Sequence, residues 1–247
     1  MKEGKIHIGT SGWSYKHWKG NFYPENLPQK DWLQFYVDKG FITVELNSPF
    51  YHLPYKATFE KWRNSVPKDF LFSVKASRYI THIKKLYDAK ESIQKFFDSA
   101  KGLNEKLGPV LFQLPPGWKF DKERLKIFLK NLSNKYRYTF EFRNNTWWND
   151  EAFELLKYKN ISFCIYELDG KIAPKEITAD FVYIRLHGPG KKYQGYYDIK
   201  TLSGWADSCI KWKEDGKDIF CYFDNDQNGF AAKNALELKV LTEKSPN

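Results

Sequence analysis

The residues able to do chemistry recur at one kind of position, the end of a short apolar run. In Thr139-Phe140-Glu141-Phe142-Arg143 the large apolar side chains take one strand face, and Glu141 and Arg143 share the other, because strand side chains alternate. Tyr183–His187 repeats the pattern with Arg185 and His187, and Val44–Asn47 repeats it with Glu45 and Asn47. Lys75 and Gln113 lie at or near the ends of two further runs, and Asn225 and Asp226 follow another. Lys75, Arg143 and Arg185 suit a carboxylate or phosphate, which planar and point cations recognise. Glu45, Glu141 and His187 are the acid–base candidates, since a histidine near its reference pKa of about 6.5 moves protons at neutral pH. Asn47, Gln113 and Asn225 would orient the ligand by hydrogen bonds. Two alternatives stay open: ion pairs of Glu141 with Arg143 or Arg185 that are purely structural, and a Glu45/Glu141 pair for glycoside hydrolysis.

The segments after these runs are rich in rings. Trp13, Tyr15 and Trp18 follow the first, Phe50, Tyr51 and Tyr55 the second, Trp147 and Trp148 the fifth, and Tyr193, Tyr196 and Tyr197 the seventh. Exposed rings beside cations would stack on bases or sugar faces; packing of a rim is the other use. Gly188-Pro189-Gly190 and Asn228-Gly229 permit close approach of a phosphate, which Asp224 and Asp226 would repel unless paired or metal-bound. No His-x-x-x-His, His-Glu-x-x-His, Cys-x-x-Cys or Gly-x-Ser-x-Gly pattern occurs. The sequence therefore offers no metal-ligand set, nucleophile elbow or cofactor signature, while leaving a divalent metal open.

Eight runs carry high strand propensity: Ile6–Gly12, Thr43–Phe50, Phe70–Ala76, Val110–Leu114, Tyr138–Phe142, Ser162–Leu168, Phe181–His187 and Ile219–Asp224. Helical spacing marks Asp31–Lys39, Thr58–Asn64, Lys90–Lys106, Lys122–Asn131, Asp150–Lys157, Leu202–Glu214 and Ala231–Thr242, while Ala173–Ile177 has room for a single turn. This rhythm predicts a single α/β domain over residues 1–247, a (β/α)8 TIM barrel of eight parallel strands with the sixth helix short or absent. Such a fold would gather the strand ends into one mouth. An open doubly wound sheet is the rival, and its dinucleotide-binding form lacks the required Gly-x-Gly-x-x-Gly. An antiparallel sheet with one wet face is less consistent with polar residues crowded at one end of each run.

The chain has 247 residues, and 40 basic against 30 acidic side chains give a formal charge of +10. That balance favours an anionic partner. Hydrophobic residues at 42% and aromatics at 18% exclude global disorder, and no apolar run is long enough to span a membrane. The opening Met1–Lys5 leads into no signal-peptide core, and three cysteines make a disulfide framework unlikely on parity alone. A cytoplasmic globular protein is expected, with an anionic small molecule or nucleic acid as partner, no membrane association, and an open oligomeric state.

Several motifs together resemble the YecE-like family, also called domain of unknown function 72. They are Ile8–Tyr15 with Phe22-Tyr23-Pro24, Val44–Tyr51, Phe72–Ala76, Gly108–Pro116, Glu141-Phe142-Arg143 with Trp147, Arg185–Gly188, and Tyr222–Asp226 with Ala231, Asn234 and Ala235. The resemblance runs from Ile6 to about Leu241 and implies a TIM barrel of the xylose isomerase and apurinic endonuclease type, without the histidine-rich zinc set of those endonucleases. It implies no activity. Pro49 stands where the family usually has Thr, which stiffens that turn. The leading expectation is an enzyme or enzyme-like binder of a phosphorylated or nucleic-acid ligand. Whether it is an enzyme stays open, with acid–base chemistry of a hydrolase or isomerase kind the form expected. The alternatives are a non-catalytic nucleic-acid-binding protein and a small-sugar isomerase, lyase or hydrolase.

Overall fold

The computed structural model describes residues 3–243; Met1 and Lys2 of the opening segment lie outside them. The chain divides into two compact units, one built from Met1–Val44, Ile165–Lys175 and Asp180–Asn247, the other from Glu45–Cys164 and Glu176–Ala179.

In the first unit, β1 (Ile6–Thr10), β8 (Phe181–Leu186) and β9 (Asp218–Phe223) are parallel, with β9 in the middle. Thr10 and Leu186 both stand opposite Phe223, so the three strands end level. Two helices cover them, α7 (Ile199–Glu214) against β9 and α8 (Phe230–Glu243) against β1 and β9. Asp198 starts α7 by accepting from Thr201 N at 2.7 Å, one of the orphan amides of a helix start. That cap places the start ahead of Leu202, where apolar spacing alone had put it. At the other edge of β1, Gly9 leaves no room for a side chain: a Cβ there would lie 2.3 Å from Thr43 O.

In the second unit, β3 (Leu71–Lys75), β4 (Leu107–Leu114), β5 (Tyr138–Phe142) and the start of β6 (Ser162–Leu168) are parallel in that order. Helices α3 (Lys56–Asn64), α4 (Lys90–Ala100), α5 (Lys122–Lys130) and α6 (Asp150–Tyr158) alternate with them. Asp121 and Asn149 cap α5 and α6 at Arg124 N and Ala152 N, both 2.9 Å. The core between strands and helices is aromatic. Phe112 stacks on Phe140 at 5.3 Å, and Phe128 of α5 meets both edge-on.

Every one of the eight expected strands is present, and the registers described above are parallel. The alternation with helices is that of an α/β fold of the TIM-barrel type. The sixth helix is absent: after β6 the chain turns back as the two-residue antiparallel strand β7 (Lys171–Ile172), with Leu168 opposite Lys171. Lys90–Lys106, expected as one helix, ends as α4 at Ala100 and continues as a 3-10 turn in which Asn104 is non-helical. Among the turns that apolar spacing does not mark are a helical turn α2 (Ser48–Tyr51) and a π-turn at Tyr79–Ile83. No helix among the described residues is long and apolar enough to cross a membrane.

Candidate functional site

In the first unit the level ends of β1, β8 and β9 bring together Ser11, Arg185, His187 and Asp224. The Asp224 Oδ2 atom accepts from Arg185 Nη2 at 3.0 Å and lies 2.9 Å from His187 Nδ1. Arg185 Nη2 also lies 3.3 Å from Ser11 Oγ, and its Nη1 lies 3.3 Å from His187 Nε2. A guanidinium can only donate, so His187 Nε2 accepts and the ring proton sits on Nδ1, directed at Asp224. That arrangement describes a neutral imidazole with both nitrogens engaged. Arg185 is 1% exposed, so its guanidinium is enclosed. Asp224 pairs with it, the pairing that the sequence left open for this acid beside repulsion of an anion.

Beside this cluster, Asn225 uses its amide on the chain itself, donating to Gly195 O at 2.9 Å and Asn234 Oδ1 at 3.0 Å. Asn234 in turn holds both the N–H and the carbonyl of Tyr197, each at 3.1 Å, as a strand neighbour would. The loop glycines are similarly occupied: Gly188 N donates to the Tyr197 hydroxyl and Gly195 N to Gln227. Those amides are therefore not free to cradle a phosphate, and Asn225 positions the loop. The backbone carbonyl of Asp226 accepts from Trp18 Nε1, and its carboxylate lies 3.4 Å from His17. Burial and the neighbouring Asp224 hold the Asp226 carboxyl above its ordinary range.

The second unit holds Lys75, Glu141 and Arg143 at the ends of β3 and β5. Lys75 is buried with Nζ 4.2 Å from the centre of the Phe50 ring, and His82 meets the same ring edge-on at 5.0 Å. Arg143 Nε donates to Glu141 Oε1, the pair named as one alternative from the sequence, and Cys164 Sγ lies 3.9 Å from Glu141 Oε2. Gln113 stands opposite Glu141 in the β4–β5 register. His82 is pushed down to about 4, first by burial and then by Lys75, Arg78 and Arg143, with Glu141 opposing them. Neither His82 nor Arg78 was among the expected site residues, since both lie beyond the strand end, in and before the π-turn. Their signal was the short spacing from Lys75 through Arg78 to His82. Glu45 is fully buried in β2 (Thr43–Leu46), and Asn47 stands immediately before α2.

The rings divide into two groups. Trp18 and Trp147 have no exposed surface: Trp18 packs on Tyr15, Phe22 and Tyr23, and Trp147 stacks on Phe142 at 4.8 Å. Both are core, the packing use that the sequence left open beside ligand stacking. Trp13 and Tyr15 are half-buried, while Tyr51, Tyr55, Tyr79 and Tyr87 stand in solvent. Among the described residues no group of three or more His, Cys, Asp or Glu side chains is arranged to hold a metal ion. All three cysteines are free and buried, with burial pushing the Cys209 thiol up to about 12.

Parallel strands alternating with helices, and ionisable side chains collected at the strand ends, define an α/β protein of the TIM-barrel class. The chain belongs to the family described as "Protein of unknown function DUF72", whose model matches residues 7–247. It is 26% identical to the UPF0759 protein YunF of Bacillus subtilis (strain 168), over 96% of this chain and 95% of that one. Among solved structures, a DUF72 family protein of Thermotoga maritima MSB8 superposes with a TM-score of 0.87 at 29% identity, covering 97% of this chain and 100% of that one. A second, from Enterococcus faecalis V583, has a TM-score of 0.79 at 21% identity, covering 99% and 100%, and shows the shared fold.

Proposed function

We propose that this protein binds an anionic, phosphorylated ligand at the strand ends of its second unit, with Lys75, Arg78 and Arg143 holding the anion. The observation that carries this reading is the convergence of those cations on His82, where they outweigh Glu141. An imidazole in that position stays neutral at physiological pH and adds a hydrogen-bonding group without a charge of its own. Glu141 accepts from Arg143 Nε and so helps to fix the guanidinium. Glu141 and His82 are also the groups in that cluster able to exchange a proton with a bound phosphate ester, which is the acid–base route to an enzymatic reading.

The test is calorimetric titration with sulfate and inorganic phosphate. Binding that weakens about tenfold to a hundredfold in Lys75→Ala and Arg78→Ala supports the reading, since one charged contact is worth about 1.5–3 kcal/mol. Absence of binding in the wild type, or binding indifferent to both substitutions, rejects it.

A second reading, nucleic-acid binding without catalysis, is favoured by the exposed Tyr51, Tyr55, Tyr79 and Tyr87 of the same unit and the +10 charge. Base stacking on such rings is sequence-tolerant. Oligonucleotide affinity that falls steeply with salt, without turnover of any phosphate ester, would select it.

A further inference from the structure

A cleft of about 390 Å³ lies in the second unit, lined by Leu53, Ser77, Tyr79, Ile80, Lys84, Glu91, Ser92, Lys95 and Phe96. Its volume is within the range of small-ligand sites. Leu53, Ile80 and Phe96 supply apolar surface, with Ile80 and Phe96 buried, and the Tyr79 ring is half in solvent. Lys84 is tied to the Asp88 carbonyl at 2.8 Å and sits 5.7 Å from the Tyr79 ring centre. By contrast, no hydrogen bond or ion pair engages the Glu91, Ser92 or Lys95 side chain among the described residues. Glu91 and Lys95 are four apart on α4 and could have paired with each other.

The backbone around the cleft is unusual as well. Lys84 N bonds to Tyr79 O at 2.9 Å, the wider step of a π-turn. Then Lys85, Leu86 and Asp88 adopt φ of 45°, 63° and 39°, a region residues with side chains seldom enter. Strain of this kind persists where surrounding structure enforces it and collects at ligand sites, as π-turns do.

We infer that this cleft is a mononucleotide site: the base lies on Tyr79 against the apolar wall, Lys95 takes the phosphate, and Glu91 accepts from the ribose hydroxyls. Each uncommitted group then meets a complement. An aromatic ring, a cation and a carboxylate are the three partners that a base, a phosphate and a diol require. The inference does not rest on the strand-end site, because Lys75, Arg78, His82 and Arg143 are absent from the cleft lining.

Calorimetry with adenosine monophosphate tests it on the 247-residue chain. In the Lys75→Ala background, which disables the strand-end anion site, the expected result is one nucleotide site, weakened about tenfold by Tyr79→Ala and by Lys95→Ala, the cost of one stacked ring or one charged contact. Tyr79 and Lys95 are surface residues, so both variants should fold, which circular dichroism checks. No heat at millimolar nucleotide overturns the inference, as does binding indifferent to both substitutions. Binding lost in Lys75→Ala but kept in Lys95→Ala also overturns it, and moves the nucleotide to the strand ends. Inorganic phosphate titrated into the same Lys75→Ala protein reports on the strand-end reading separately.

Discussion

His82 shows how a single side chain carries the electrostatics of its neighbourhood. Its folded pKa of about 4 lies below the ordinary value of 6.5, so between those limits the unfolded chain binds a proton that the folded chain does not. Stability from the neutral ring is complete above pH 6.5 and is lost as pH falls towards 4. His82→Asn should therefore flatten the acid limb of urea-unfolding stability in that window, and an unaltered limb would count against the assignment. The same linkage couples His82 to anions: bound sulfate should raise its pKa, and sulfate should bind more tightly as pH drops, both measurable by NMR titration of the ring. Arg185 behaves differently because it is enclosed. Removing it leaves Asp224 short of a cation in a buried setting, so Arg185→Ala should cost about 3–5 kcal/mol in urea unfolding. A loss under about 1 kcal/mol, the scale of an exposed pair, would show that the buried pair does not hold the strand ends.

At the scale of elements, strand spacing was the most legible feature of the sequence. Tyr138–Phe142 and Ser162–Leu168 match their strands end to end, the first an apolar–polar alternation and the second a short, nearly continuous apolar run, both bounded by polar segments. The Phe181–His187 run ends one residue early, at Leu186. What escaped was set by tertiary partners: the π-turn at Tyr79–Ile83 has no periodic signature, and Trp18 and Trp147 have the composition of a binding rim but the packing of a core. His82 escaped because it lies beyond the strand end, inside the π-turn, and the pairing of Asp224 with Arg185 and His187 escaped because it joins two strands distant in sequence. Glycines test the elements directly. At Gly9 a methyl would meet Thr43 O at 2.3 Å, whereas at Gly204 in α7 it would meet nothing within 4 Å. Gly9→Ala should destabilise by more than about 2 kcal/mol through forced strand separation. Gly204→Ala should stabilise by about 0.5–1 kcal/mol through helix propensity. Thermal or urea unfolding of the two variants reads both signs at once.

For the molecule as a whole, the charge of +10 gives a long-range attraction for polyanions that individual contacts do not. If oligonucleotides bind through backbone phosphates, their log affinity should fall linearly with log salt, with a slope near −0.7 per neutralised phosphate of a single strand. A single phosphate held by Lys75 and Arg78 should show a much shallower dependence. Equal slopes for an oligonucleotide and inorganic phosphate would remove the case for an extended nucleic-acid surface. The buried cysteines add a use that is independent of ligand. Cys164 belongs to one compact unit, and Cys209 and Cys221 to the other. An enclosed thiol reacts with an alkylating reagent only while its surroundings are open. Each cysteine is thus a clock for its own unit, and labelling rates followed by mass spectrometry, site by site, would measure how often each half of the chain opens without any engineered probe.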